Sequence, residues 1–167
     1  MSSIQTIAKQ FALHNKLFNN VLEGIEDAQG GERLSQEVNH LQWIAGHLVN
    51  AHYGMAPMLG LQNYKFPYWE LYTDKTQPPP SNRALDTSLK YPPLSELKKY
   101  WNELEPKFIE GLGKLSNEQL TSEMPFPVPT GKTMLDFFTF IASHDSYHIG
   151  QMSIIRKYLG KGAMSYN

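Results

Sequence analysis

Four stretches of the chain carry apolar residues at steps of three and four, and this spacing constrains the fold more than any other feature. The first runs Ile4, Ile7, Phe11, Phe18, Val21, Leu22 and Ile25, with His14 inside the stripe. The second is Leu41, Ile44, Leu48, Ala51, Met55 and Leu59. The third is Leu94, Leu97, Trp101, Leu104, Phe108, Leu112 and Leu115, and the fourth Phe137, Phe138, Ile141, Met152, Ile155 and Leu159. A helix turns about 100° per residue, so each set forms one apolar strip along a helix.

Punctuation between the strips agrees with this. Gln29-Gly30-Gly31 stops the first helix. Asn39 is the expected N-cap of the second, with Gln42 as its capping-box partner, and a start near Ser35 is the alternative. Pro57 and Gly60 mark its end. Pro93 suits the opening turn of the third helix, whereas Pro106 should kink its middle. Ser116 to Leu120 could add one short turn. Thr133 and Asp136 form a second capping box, and Gly160 suits a helix C-terminus.

Residues 60–92 lack periodicity and hold "FPYWELY", "QPPPSN" and "YPP", so they read as a long connection with a short turn near Tyr68 to Tyr72. Loops of this length are uncommon in compact domains and are often functional. "MPFPVPTGKT" reads as an irregular or hairpin-like link. No strand alternation is convincing. The expectation is an all-α four-helix bundle forming a single domain over 1–167. The long loop between the second and third helices lets those two run parallel, which permits an up-down-down-up arrangement.

Composition narrows the function. The net charge is −1, with no run of Lys or Arg, so binding driven by phosphate neutralisation is disfavoured and no nucleic-acid partner is expected. There is no cysteine, which removes disulfides, thiolate ligands and a cysteine nucleophile. The start, "MSSIQTIAKQF", lacks a secretory layout, and no stretch has the roughly 18 apolar residues of a membrane span. The expectation is a cytoplasmic protein without a membrane partner.

The histidines then stand out. His144 and His148 are four apart, so they project from one helix face with an offset of about 40°. Two imidazoles at that spacing can share a metal ion. His47 lies on the second stripe with Ile44, Leu48 and Ala51. Two imidazoles from one helix and one from another match the way bundles build metal sites from facing helices. The alternative is that each is a core histidine satisfied by hydrogen bonds. His14 could line the cavity, His40 reads as a surface or helix-end residue, and His52 points about 140° away from His47 and is not an expected ligand.

"HLQWIAGHLVNAH", "SHDSYHIGQMSIIRKYLG" and "LSELKKYWNELEPKFIEGLGKLSNEQL" together resemble the DinB/YfiT superfamily over essentially the whole chain. The resemblance implies a four-helix bundle, often a homodimer, with a divalent metal held by His47, His144 and His148. It also implies activities such as metal-dependent hydrolysis or transfer to low-molecular-weight thiols. The family name refers to a gene response and implies no DNA contact. The proline-rich segment 77–93 and His40 are unusual, which bears on loop geometry and substrate.

Three neutral imidazoles leave a coordination position open, the layout of a catalytic site. Zinc or nickel suits such ligands best, with iron or manganese as alternatives. Candidates to orient the ligands or meet bound water are Gln151, Asn50 and Asp145, although for Asp145 a helix-surface position is the simpler reading. Trp43 and Tyr147 read as packing residues, and Gly150 as a point of close helix approach. The segment from Asn63 to Tyr72 could lid the site, but packing or a dimer contact is favoured. The functions to weigh are a metal-dependent enzyme acting on a small molecule, a metal-binding bundle without turnover, and a metal-free bundle with structural histidines.

Overall fold

The computed structural model describes residues 3–76 and 81–166. Four long helices form the bundle: α1 (Ser3–Leu22), α2 (Leu41–Met55), α3 (Leu94–Gly113) and α5 (Met134–Tyr158). A single-turn helix, α4 (Asn117–Thr121), and two small hairpins lie in the connections. One hairpin pairs β1 (Thr73–Asp74) with β2 (Ser81–Asn82), and the other pairs β3 (Glu123–Val128) with β4 (Gly131–Thr133). The second is the hairpin-like link expected at "MPFPVPTGKT". The rest of the "QPPPSN" segment before Ser81 lies outside the described residues.

Cross-helix contacts fix the directions. Phe11 meets Phe138 and Arg156 reaches the Val21 carbonyl, so α1 and α5 run parallel. Phe11 meets Phe108 while Asn19 bonds Asn102, so α3 runs against α1. His40 packs on Tyr91 and His52 pairs with Glu105, so α2 and α3 are parallel. The arrangement is up-down-down-up. The long connection after α2 makes it possible, since a short loop would force antiparallel neighbours.

The core follows the four stripes. Phe11, Phe18, Leu41, Ile44, Leu48, Leu97, Trp101, Leu104, Phe108 and Phe138 are all at most 1 % exposed. Phe18 stacks on Trp101 with ring centroids 4.2 Å apart. Thr133 and Asp136 make the expected capping box on α5, and Gly160 adopts a left-handed φ of 74° just past its end. Ser116 caps α4 in the same manner as Thr133 caps α5.

Some local expectations differ. The N-cap of α2 is His40 rather than Asn39: its Nδ1 accepts from the Trp43 N–H at 3.0 Å. Burial, with Arg33 nearby, lowers the His40 pKa to about 4, which keeps that lone pair available. The cap is therefore buried at the helix end, not at the surface. Pro93 is the N-cap of α3, and the helix continues through Pro106.

The 60–74 segment packs on α2. Tyr72 is fully buried, and its hydroxyl donates to the Gln42 carbonyl at 3.3 Å. The approach requires Gly46, where an added Cβ would lie 1.9 Å from the Tyr72 hydroxyl. Gly150 is the opposite case, exposed with nothing within 4 Å of an added Cβ, so it serves no close approach. Gly46→Ala should therefore cost about 1–3 kcal/mol through overpacking. Gly150→Ala should gain roughly 0.5–1 kcal/mol from helix propensity. Chemical denaturation of the two variants beside wild type checks both signs.

Candidate metal centre

Antiparallel packing of α2 on α5 sets His47 opposite His144 and His148. His47 Nε2 and His144 Nε2 are 2.9 Å apart, and one ligand atom from each of the three rings lies within 4.8 Å of the others. A tetrahedral ion bound at about 2.0–2.1 Å spaces its nitrogen ligands by about 3.3 Å, so the trio brackets that separation. All three donors are imidazole nitrogens, a set suited to borderline divalent metals. The group could hold a metal ion.

The rings are held by different means. Trp43, one turn before His47, stacks on its ring at an interplanar angle of 3°. His47 Nδ1 is buried without a partner, so the ring is oriented by that stack and by the approach of its Nε2 to His144. His148 Nδ1 pairs with Gln151 Oε1 at 2.7 Å, and Gln151 Nε2 donates to the Tyr147 hydroxyl at 3.0 Å. That leaves His148 Nε2 free toward the trio. His144 Nδ1 faces Asp145 Oδ1 at 3.5 Å.

Electrostatics favour neutral rings. Burial, then the proximity of His148 and His144, lowers the His47 pKa to about 3. Burial and His144 likewise lower His148. Those two rings therefore offer a lone pair at neutral pH. His47 is 3 % exposed whereas His144 and His148 are only partly buried. The site thus sits at the rim of the α2–α5 seam with one side open, rather than at the bundle axis.

The other candidates are placed as follows. Asn50 donates to Thr73 Oγ1 at 3.1 Å, one turn along α2 from His47. His14 Nε2 pairs with Ser146 Oγ at 2.8 Å, and its Nδ1 stands 3.6 Å from Asp145 Oδ2, an electrostatic contact. Asp145 is fully buried, not a helix-surface residue. It faces the core because α5 turns about 100° between His144 and Asp145. Trp43 is buried packing, whereas Tyr147 is 64 % exposed.

Sequence reasoning missed a second cluster. His52, set aside as pointing away from His47, is fully buried between two carboxyls. Its Nδ1 pairs with Glu105 Oε1 at 2.5 Å and its Nε2 with Asp145 Oδ2 at 3.0 Å. Phe11, Trp101 and Phe108 surround the ring. The available signal was Glu105, a carboxylate one step from Leu104 on the stripe of α3. Burial alone would lower the His52 pKa, but Glu105 and Asp145 outweigh it and raise it to about 10. Burial would raise Asp145, but the His52 charge and the histidine contacts win and hold it well below the usual range. Burial raises Glu105 despite His52, and its Oε2 has no partner. Asp145 is therefore the carboxyl that keeps its charge against His52.

The comparisons agree with this architecture. The model of the DinB superfamily matches residues 10–152, and the chain belongs to that superfamily. No curated protein matches significantly. Among solved structures, a conserved protein from Enterococcus faecalis superposes with a TM-score of 0.70 at 15 % identity, covering 96 % of this chain and 99 % of that one. YfiT from Bacillus subtilis, described as a probable metal-dependent hydrolase with an unusual four-helix-bundle topology, superposes with a TM-score of 0.68 at 14 % identity. It covers 95 % of this chain and 89 % of its own. At such identities the likeness establishes the fold. Among the described residues, no helix is long and apolar enough to cross a membrane.

His52 also sets a pH signature. Its folded-state pKa lies above the ordinary 6.5, so its contribution is fully present below about pH 6.5 and is lost as pH rises through about 10. The gap in Tm between wild type and His52→Gln should therefore shrink from pH 7 to pH 10. Thermal melts by circular dichroism across that range check it, and a constant gap would show that the ion pair contributes nothing.

Proposed function

We propose that this protein is a divalent-metal-dependent enzyme acting on a small molecule, with His47, His144 and His148 as the metal ligands. The observation that carries the reading is the convergence of three imidazole nitrogens from two helices within 4.8 Å, at a rim position with an open side. Zinc or nickel fits the all-imidazole set best, with iron or manganese as alternatives. A cation held there supplies Lewis acidity toward a water, a carbonyl or a thiol. Hydrolysis and transfer to a low-molecular-weight thiol are the two reactions this supports, and the description of YfiT as a probable metal-dependent hydrolase favours the first. The cysteine-free chain fits work in the cytoplasm, and a homodimer is the expected assembly.

The residues around the trio do the positioning. Trp43 holds the His47 ring flat, Gln151 fixes His148 through Nδ1, and Asp145 faces His144 Nδ1. A cavity of about 610 Å³, lined by Asn50, Tyr53, Tyr64, Phe66, Trp69 and Thr73, begins one turn of α2 from His47. Its aromatic wall suits a small, partly apolar substrate.

One observation favours a second reading, a metal-binding bundle without turnover. Of the three residues flanking the site, Gln151 and Asn50 are amides that cannot take up a proton, and the carboxylate of Asp145 is already engaged by His52 and faces His144. Metal analysis and activity separate the readings. Purified protein should carry stoichiometric metal that the His144→Ala, His148→Ala double variant loses, and a metal-free wild type removes both readings. The metal-loaded protein should then turn over in ester and amide hydrolysis or in thiol-conjugation panels. Silence in all of them leaves the non-catalytic reading.

A further inference from the structure

Each of the four long helices places one polar side chain in a single buried cluster: His14 from α1, His52 from α2, Glu105 from α3 and Asp145 from α5. None is more than 3 % exposed. Replacing such a buried ionic cluster with apolar residues of similar volume is often neutral or stabilising. Stability alone is thus a weak reason for the bundle to hold it.

The cluster has a direction. Glu105 pairs with His52, His52 pairs with Asp145 Oδ2, and the other oxygen of Asp145 faces His144 Nδ1. It runs from the centre of the bundle to the back of a candidate ligand. His148, the other α5 ligand, is also held at Nδ1, by Gln151. Both rings are gripped at the nitrogen that faces away from the trio. An acceptor at Nδ1 fixes the tautomer in which Nε2 carries the lone pair and makes that nitrogen more basic. An aspartate beside a histidine on the same helix could rotate to other partners. His52 prevents this by occupying Oδ2, and the rings of Trp101 and Phe108, both with centroids 4.7 Å away, fix His52 in turn.

We propose that His52 and Glu105 are positioning residues of the metal centre, holding Asp145 so that it locks His144 with Nε2 aimed at the shared metal position. The inference rests on the metal-site reading above and extends it three residues inward from the coordinating shell.

Cobalt(II) is a suitable probe, since its visible bands report ligand geometry and its affinity can be measured against a chromogenic chelator. Asp145→Asn and His52→Gln, shown to be folded by circular dichroism, should bind cobalt about 10–100-fold more weakly than wild type, with altered visible bands. Glu105→Gln, which keeps an oxygen toward His52, should shift affinity in the same direction by less. Leu104→Ala serves as the control: it should lower Tm through a core cavity and leave cobalt affinity and spectrum unchanged. If His52→Gln does not fold, Asp145→Asn and Glu105→Gln decide the matter. Folded variants that lose Tm yet bind cobalt with wild-type affinity and spectrum would overturn the inference alone. A wild-type protein that binds no cobalt, nickel or zinc would remove the metal-site reading and this inference together.

Discussion

The antiparallel register of α2 against α5 sets His47 beside His144 and His148, and it sets His52 against Asp145. His47 and His52 are five residues apart, so they leave α2 about 140° apart in direction, and His144 and Asp145 diverge by about 100° on α5. One seam therefore feeds two sites, an open one at the rim and a closed one in the core. Sliding α2 by one turn, about 5.4 Å, would separate the imidazole trio and strand two buried carboxyls without their partner. The need to pair those carboxyls is a register constraint that an all-apolar seam would not impose.

The two sites treat the same side chain in opposite ways. At the rim, mutual repulsion among three imidazoles adds to desolvation, and His47 and His148 are pushed toward the neutral form. In the core, two carboxyls overcome desolvation and His52 is held as a cation. The first environment leaves lone pairs that could serve a metal ion, and the second keeps its proton up to about pH 10. Aspartate 145 stands between them and touches both. The family membership and the superposition on YfiT give the fold a context, but the chemistry argued for this chain comes from these contacts.

The connection between α2 and α3 shows how a segment without periodicity is positioned. It is anchored where Tyr72 enters the space left by Gly46, directly beside His47. Backbone pairing of Thr73 and Asp74 with the Ser81–Asn82 strand, and the Asn50–Thr73 bond, extend that anchor along α2. The aromatic side chains between Tyr64 and Trp69 then form the wall of a cavity rather than a cap over the histidines.

The amino-acid order by itself determined the number of long helices, the freedom of the second and third to run parallel, the three histidines on facing helices, and most helix boundaries to within a few residues; α1 is the exception, ending at Leu22, ahead of a left-handed Gly24 and well before the expected stop at Gln29. These are local consequences of period, caps and loop length. It did not disclose that His40 caps α2, that Asp145 is buried, or that His52 and Glu105 meet. A helical stripe tells which face is covered, but not which polar residue at its edge will find a partner on another helix. Only the packing of four helices at one level decided that, because a buried charge is tolerated solely where an opposite group reaches it in space. The same holds for the candidate metal centre: spacing put two rings on one face, and the distance to the third was a property of the tertiary seam.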